Sequence, residues 1–176
     1  MSVRASLMLV SLLVVSTVFC VVARVPPAAS APLRGGGYAI FLEAAPTYTL
    51  RPTTAAAQVA AGTRAAAGEG AEVNRWEPVL IGYRPAGPVY QLLNSTTRLC
   101  LQPVRLDAVS YSVVQDICGI ADTGLWYISQ AAANHRISLA ADPSLTLYGD
   151  TDSPVPVALV GRIGDEPRAR WIFQHL

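Results

Sequence analysis

The sequence predicts an all-β protein of three pseudo-symmetric, four-stranded repeats that close on one another as a barrel. Two observations carry this. Trp76, Trp126 and Trp171 each open a short apolar run, in "NRWEPVL", "GLWYISQ" and "RARWIFQHL", at spacings of 50 and 45 residues. A leucine precedes each tryptophan at a near-constant interval: Leu50 by 26 positions, Leu101 by 25 and Leu147 by 24. Self-similarity at such a period marks units that cannot bury an apolar face alone. Closing three of them around a shared core of tryptophans and leucines removes exposed strand edges.

The elements follow in order from three boundaries, giving repeats at about 38–86, 87–132 and 133–176 within a domain of 38–176. Copy one opens with "YAIFLEAAPTYTLRP", copy two with "YQLLNSTTRLCLQP" and copy three with "HRISLAADPSLTLYG". Each reads as a short strand, a polar or Pro-containing turn, and a second short strand. Thr49, Cys100 and Thr146 stand at matching positions, one before the shared leucine. A third strand falls in "SYSVVQDIC" of copy two and "VPVALVG" of copy three, both rich in β-branched residues. Copy one holds an Ala-rich stretch there, in which Gly62 and Gly68 interrupt any helix. Gln58-Val59-Ala60 is the expected weak strand inside a longer loop. The last strand of copy three is expected to close against copy one.

Ahead of the repeats, residues 5–23 are continuously apolar and follow Arg4. This reads as a signal peptide, assigned to 1–30, with 31–37 as a flexible linker. At the limit of its length the segment also fits an uncleaved membrane anchor, and membrane contact is expected only through it. The chain has 176 residues, a net charge of +1, and arginine as its only strong cation. No basic run marks nucleic acid as a partner. Beyond Cys20 there are only Cys100 and Cys118, which in a secreted chain most simply form one disulfide. Two thiols with only His135 and His175 available make a poor metal site, and no cofactor is called for.

Copy two, "LCLQPVRLDAVSYSVVQDICGIADTGLW", resembles the ricin-type β-trefoil lectins. Their pattern of Cys-Leu, a spacer, Val-x-Gln-x-x-Cys and a tryptophan is matched by Cys100, Leu101, Val113, Gln115, Cys118 and Trp126. The resemblance covers about Tyr38 to Leu176. It implies a β-trefoil and an intra-repeat Cys100–Cys118 bridge. It also implies a sugar site made of an Asp after Cys-Leu, an aromatic ring on the third strand, and a polar residue two before the tryptophan. Those positions hold Gln102, Val114 and Gly124 in copy two, Tyr148, Leu159 and Ala169 in copy three, and Arg51, Arg64 and Asn74 in copy one. No copy carries the full set, so the scaffold is kept and the familiar sugar hooks are not. Gln102, and Tyr148 with Asp150, remain the ligand-binding candidates.

Catalysis is not expected. His135 and His175 accompany no Ser-containing elbow or Cys-His setting. Asp142, Asp150, Asp152, Asp165 and Glu166 lie where turn geometry alone asks for Asp and Gly. Asn94-Ser95-Thr96 fits the N-glycosylation pattern. The expected function is a secreted, non-catalytic recognition module for a glycan or a cell-surface receptor. A variant resembles the binding subunits of cytolethal distending toxins, with a secreted protein partner. The alternative is a β-trefoil protease inhibitor acting through an exposed loop, with Arg84 or Arg168 as the presented residue. Against it, the cysteine spacing does not match the Kunitz pattern.

Overall fold

The structure, a computed structural model, describes residues 32–52, 59–63, 75–119, 122–152 and 157–176. The apolar segment 5–23 and the positions Arg64 and Asn74 lie outside these. Among the described residues twelve strands form, four from each repeat. Repeat one gives β1 (Tyr38–Leu42), β2 (Ala45–Pro52), β3 (Val59–Thr63) and β4 (Arg75–Arg84). Repeat two gives β5 (Gly87–Asn94), β6 (Cys100–Arg105), β7 (Tyr111–Asp116) and β8 (Trp126–Ala131). Repeat three gives β9 (Asn134–Leu139), β10 (Leu145–Asp150), β11 (Val157–Arg162) and β12 (Arg170–His175). Single 3-10 turns at Asp122–Gly124 and Pro167–Ala169 lead into β8 and β12.

Antiparallel pairing closes six strands into a ring. β1 pairs β4, β4 pairs β5, β5 pairs β8, β8 pairs β9, β9 pairs β12, and β12 returns to β1. The closing ladder runs from Tyr38 opposite His175 to Leu42 opposite Trp171. The other six strands form hairpins, β2–β3, β6–β7 and β10–β11, whose third strands touch one another across one end of the ring. A six-stranded barrel capped by three hairpins is a β-trefoil. Of the weak strand expected at Gln58-Val59-Ala60, Gln58 lies outside the described residues and Val59-Ala60 open β3, whose ladder with β2 runs from Pro52 opposite Val59 to Tyr48 opposite Thr63.

Burial explains why these sequences take these places. All five residues of β1, "YAIFL", are buried, since this strand is paired by β12, β2 and β4. A strand covered on every side reads as a continuous apolar run rather than an alternating one. Trp76, Trp126 and Trp171 are fully buried in one cluster with Leu50, Leu101 and Leu147. Each indole N–H donates to the carbonyl of its own repeat's leucine: Trp76 to Leu50 at 2.9 Å, Trp126 to Leu101 at 3.0 Å, and Trp171 to Leu147 at 2.9 Å. The tryptophan belongs to the barrel and the leucine to the hairpin cap. One hydrogen bond per repeat therefore ties cap to barrel and satisfies a polar atom that burial would otherwise strand.

In repeats two and three the position before the leucine fastens the hairpin to the segment that follows it, by different means. In repeat two Cys100 bonds Cys118, two residues past its ladder partner Asp116. Closing that separation of 18 residues contributes about 3 kcal/mol in the chain-entropy account. In repeat three Thr146 faces Gly161, and two residues further lies Ile163. Here Arg136 bridges the same gap: its Nε donates to Thr146 Oγ1 and its Nη2 to the Ile163 carbonyl, both at 2.8 Å. In repeat one Thr49 Oγ1 is buried with no hydrogen-bond partner among the described residues.

Two further features bear on accessibility. In the segment read from sequence as a linker, the Leu33 N–H donates to Tyr90 Oη at 3.0 Å and Leu33 packs against the core cluster. The Tyr38 hydroxyl donates to the Arg34 carbonyl at 2.9 Å. Asn94, of the glycosylation sequon, is fully buried, and its Oδ1 accepts the N–H groups of Thr96 and Thr97 at 3.0 Å. That side chain is a turn cap and is closed to an attached sugar.

Candidate functional site

The residue following the shared leucine stands at the rim of each hairpin: Arg51, Gln102 and Tyr148. The three rims have diverged. Gln102 is half-buried and lies over Gly124, where a Cβ would overlap its amide. The Gln102 side chain thus occupies the space that a side chain at position 124 would need. Arg51 in repeat one is half-buried, with its Nε buried and without a hydrogen-bond partner among the described residues.

The rim of repeat three borders a cleft. It has a volume of about 320 Å³ and is walled by Tyr148, Gly161, Arg162, Glu166 and Arg168, with Val109 and Ser110 from repeat two completing it. Tyr148 faces Leu159 across the β10–β11 ladder, and β11 in turn pairs β7. This pairing brings the 106–110 loop of one repeat against the hairpin of the next. A Cβ built on Gly161 would sit 3.4 Å from Tyr148 Cε1 and 4.0 Å from its hydroxyl, so the glycine leaves the ring edge on that side without a side-chain neighbour from this position. On Tyr148 also lies Arg168, its guanidinium carbon 5.9 Å from the ring centroid. Glu166 fixes that guanidinium, accepting from Arg168 Nε at 2.9 Å.

The walls are pre-set by short-range contacts. Asp107 Oδ1 accepts the N–H groups of Val109 and Ser110 at 2.8 Å, and its Oδ2 accepts the Ser110 hydroxyl. These bonds, led by Ser110, hold the Asp107 carboxyl below its ordinary range. Arg136 anchors the Ile163 carbonyl on the opposite lip. Burial pushes the Tyr148 phenol up, with the charge of Asp150 adding to this and Arg168 opposing it. The phenol therefore stays protonated and able to donate at neutral pH. The hydrogen bond and charge of Glu166 raise Arg168 further above its ordinary value.

The sequence candidates are distributed unequally about this cleft. Tyr148 lines it. Asp150 is two residues along the same strand, but its Oδ1 accepts the Asp152 N–H at 3.2 Å, and it is not part of the wall. Gln102 sits at the equivalent rim of repeat two. Arg168, singled out as an inhibitor residue, belongs instead to the cleft, in the turn Pro167–Ala169 with Ala169 buried. Arg84 closes the β4–β5 hairpin opposite Gly87, whose φ of +128° suits glycine. His135 is half-buried against Phe173, with centroids 5.0 Å apart and Nδ1 without a hydrogen-bond partner among the described residues, and burial lowers its pKa. Sequence reasoning missed Val109, Ser110, Gly161 and Arg162. Asp107 and Ser110 are residue types that favour a turn, but nothing local assigns that stretch to a neighbouring repeat's rim. Among the described residues no group of three His, Cys, Asp or Glu side chains comes together to hold a metal ion.

Comparison with solved structures decides the fold. The chain is a β-trefoil. A Polyporus squamosus lectin, solved with the epitope Neu5Acα2-6Galβ1-4GlcNAc, matches 83% of this chain and 51% of its own, at a TM-score of 0.68 and 16% identity. This chain thus spans about half of that lectin. A ricin B-like lectin of Macrolepiota procera, solved with lactose, matches 84% of this chain and 100% of its own, with a TM-score of 0.66 and 12% identity. The cytolethal distending toxin of Haemophilus ducreyi matches 80% of this chain and 83% of its own, at 0.62 and 9%. At these identities the likeness is one of fold. No protein-family model and no curated protein matches the sequence.

Proposed function

We propose that this β-trefoil is a secreted recognition module, without catalysis of its own, that binds a glycan in the Tyr148 cleft. One observation carries the reading: a tyrosine ring lining a cleft with Gly161 at its edge, beside the Arg168–Glu166 ion pair and Ser110. A sugar presents an apolar face to a ring and hydroxyls to charged and hydroxyl partners, and the cleft offers both within one small volume. The walls are held before any ligand arrives, which lowers the ordering cost of binding. The apolar segment 5–23 and the Cys100–Cys118 disulfide support an extracytoplasmic setting. The finer reading, a binding subunit of a toxin-like complex with a secreted partner, draws support from the fold shared with the Haemophilus toxin. The inhibitor reading is weakened because Arg168 is pinned to Glu166 in a tight turn rather than presented on an extended loop.

A glycan array probed with four proteins tests this. Wild type is expected to bind a restricted set, Tyr148→Ala to lose it, Gly161→Ala to weaken it by filling the cleft, and Gln102→Ala to retain it. Absence of binding by wild type, or binding that Tyr148→Ala keeps in full, overturns the assignment.

A further inference from the structure

The β4–β5 hairpin carries an apolar surface that the core does not use. β4 is ten residues long, and Trp76 and Pro78 are its buried residues. Beyond Pro78, Val79, Leu80, Ile81 and Tyr83 are exposed at 38, 44, 47 and 68%. Past Trp76 the strand is paired only by β5 among the described residues. No charge interrupts the run from Pro78 to Tyr83; Glu77 stands at one end and Arg84 at the other. Large apolar side chains gathered on one arm mark an interaction surface rather than ordinary scatter.

We propose that this arm is a dimer interface and that its occupant is a second copy of this chain. Three features favour that partner. A two-fold axis across the arm reverses strand direction, so Glu77 of each copy comes towards Arg84 of the other while the uncharged run packs between them. Ser95 donates its hydroxyl to Glu77 Oε1 at 2.7 Å, which orients the carboxylate beside the apolar run. Pro78 has no N–H to give, and the ladder register shifts between Leu80 and Gly82. Both discourage open-ended strand addition. Contact through side chains about a closed axis satisfies the surface without inviting a fibre. If the Tyr148 reading holds, the dimer carries two clefts and gains avidity on a surface crowded with ligand; the dimer itself does not depend on that reading.

Sedimentation of the full chain across a concentration series tests the proposal, with near-UV circular dichroism of the buried tryptophans reporting the fold. Wild type is expected to reach twice the mass of one chain and no more. Leu80→Glu with Ile81→Glu is expected to keep the near-UV signal and sediment as a monomer. Glu77→Arg alone is expected to raise the dissociation constant by about tenfold, and adding Arg84→Glu to restore it. A monomeric wild type overturns the proposal. So does a dimer that survives the Leu80/Ile81 double change, since association then runs through another face such as segment 5–23. A charge reversal without rescue overturns the antiparallel arrangement.

Discussion

Replacing each barrel tryptophan by phenylalanine, one repeat at a time, tests the organisation of the molecule directly. All three rings are fully buried, and each indole donates one hydrogen bond of 2.9–3.0 Å to a leucine carbonyl on the hairpin cap. Phenylalanine removes the donor and leaves that buried carbonyl without its partner, at about 1–3 kcal/mol. The smaller ring adds about 1–2 kcal/mol for unfilled space, on a scale where full truncation to alanine costs about 3–5. The sum is about 2–5 kcal/mol per site, a large share of the roughly 5–15 kcal/mol expected of a whole domain. The informative quantity is agreement among the sites. If the repeats are equivalent, Trp76→Phe, Trp126→Phe and Trp171→Phe differ by no more than about 1 kcal/mol. Urea unfolding followed by far-UV circular dichroism, with slopes compared among variants, measures this. Should one substitution cost under about 1 kcal/mol while the others cost about 3, cap and barrel are not joined alike in the three repeats, and the equivalence argued here fails.

Three other outcomes are expected. Thr146→Cys with Ile163→Cys occupies the positions equivalent to Cys100 and Cys118, so oxidation is expected to close a second bridge. Its roughly 3 kcal/mol is reduced by about 1–2 for the displaced Arg136 hydrogen bonds; thiol titration showing both new cysteines free after oxidation refutes the equivalence. Ala132 holds a φ of +53° in the β8–β9 turn, so Ala132→Gly is expected to stabilise by about 0.5–1 kcal/mol in the same urea assay. His135 has its folded pKa lowered by burial, so the unfolded chain takes the proton first. Stability is therefore unaffected by this group above about pH 6.5 and declines as pH falls from there towards the folded pKa. His135→Phe is expected to remove that slope. The loss below about pH 4, where Asp107 and Asp142 with their lowered pKa values begin to protonate, is expected to remain.

The fold was legible because its signal repeats. Three indoles and three leucines at matched intervals are hard to place except as one core, and the hydrogen bond between them explains the interval: each tryptophan has to reach back to the strand that carries its leucine. Even β3, where "AAAQVAAGT" gives little β-propensity, is paired residue by residue with β2. Its register comes from the neighbouring strand rather than from its own composition. The cleft was legible only in part. Tyr148 stood out because the repeat alignment gave its position a role. Ser110 and Val109 did not, because they come from a different repeat and reach the site through the β7–β11 pairing, which no spacing within one repeat encodes. Gly161 escaped because its contribution is a missing Cβ.

The contrast between core and rim follows from what three-fold closure constrains. A change at Trp76, Trp126 or Trp171 affects the axis that all repeats share, so these positions cannot diverge independently. The residue before each leucine has only to hold its own hairpin, and it has taken three forms: a disulfide cysteine, a threonine served by Arg136, and a threonine without a described partner. The residue after each leucine is freer still, being Arg51, Gln102 or Tyr148. Constraint thus falls within a few ångströms of leaving the core, and any specificity must be written where it is lowest. That directs the search for a ligand first to the rim whose cleft the described residues define. In repeat two Gln102 lies over Gly124, while in repeat three Gly161 stands at the edge of the cleft.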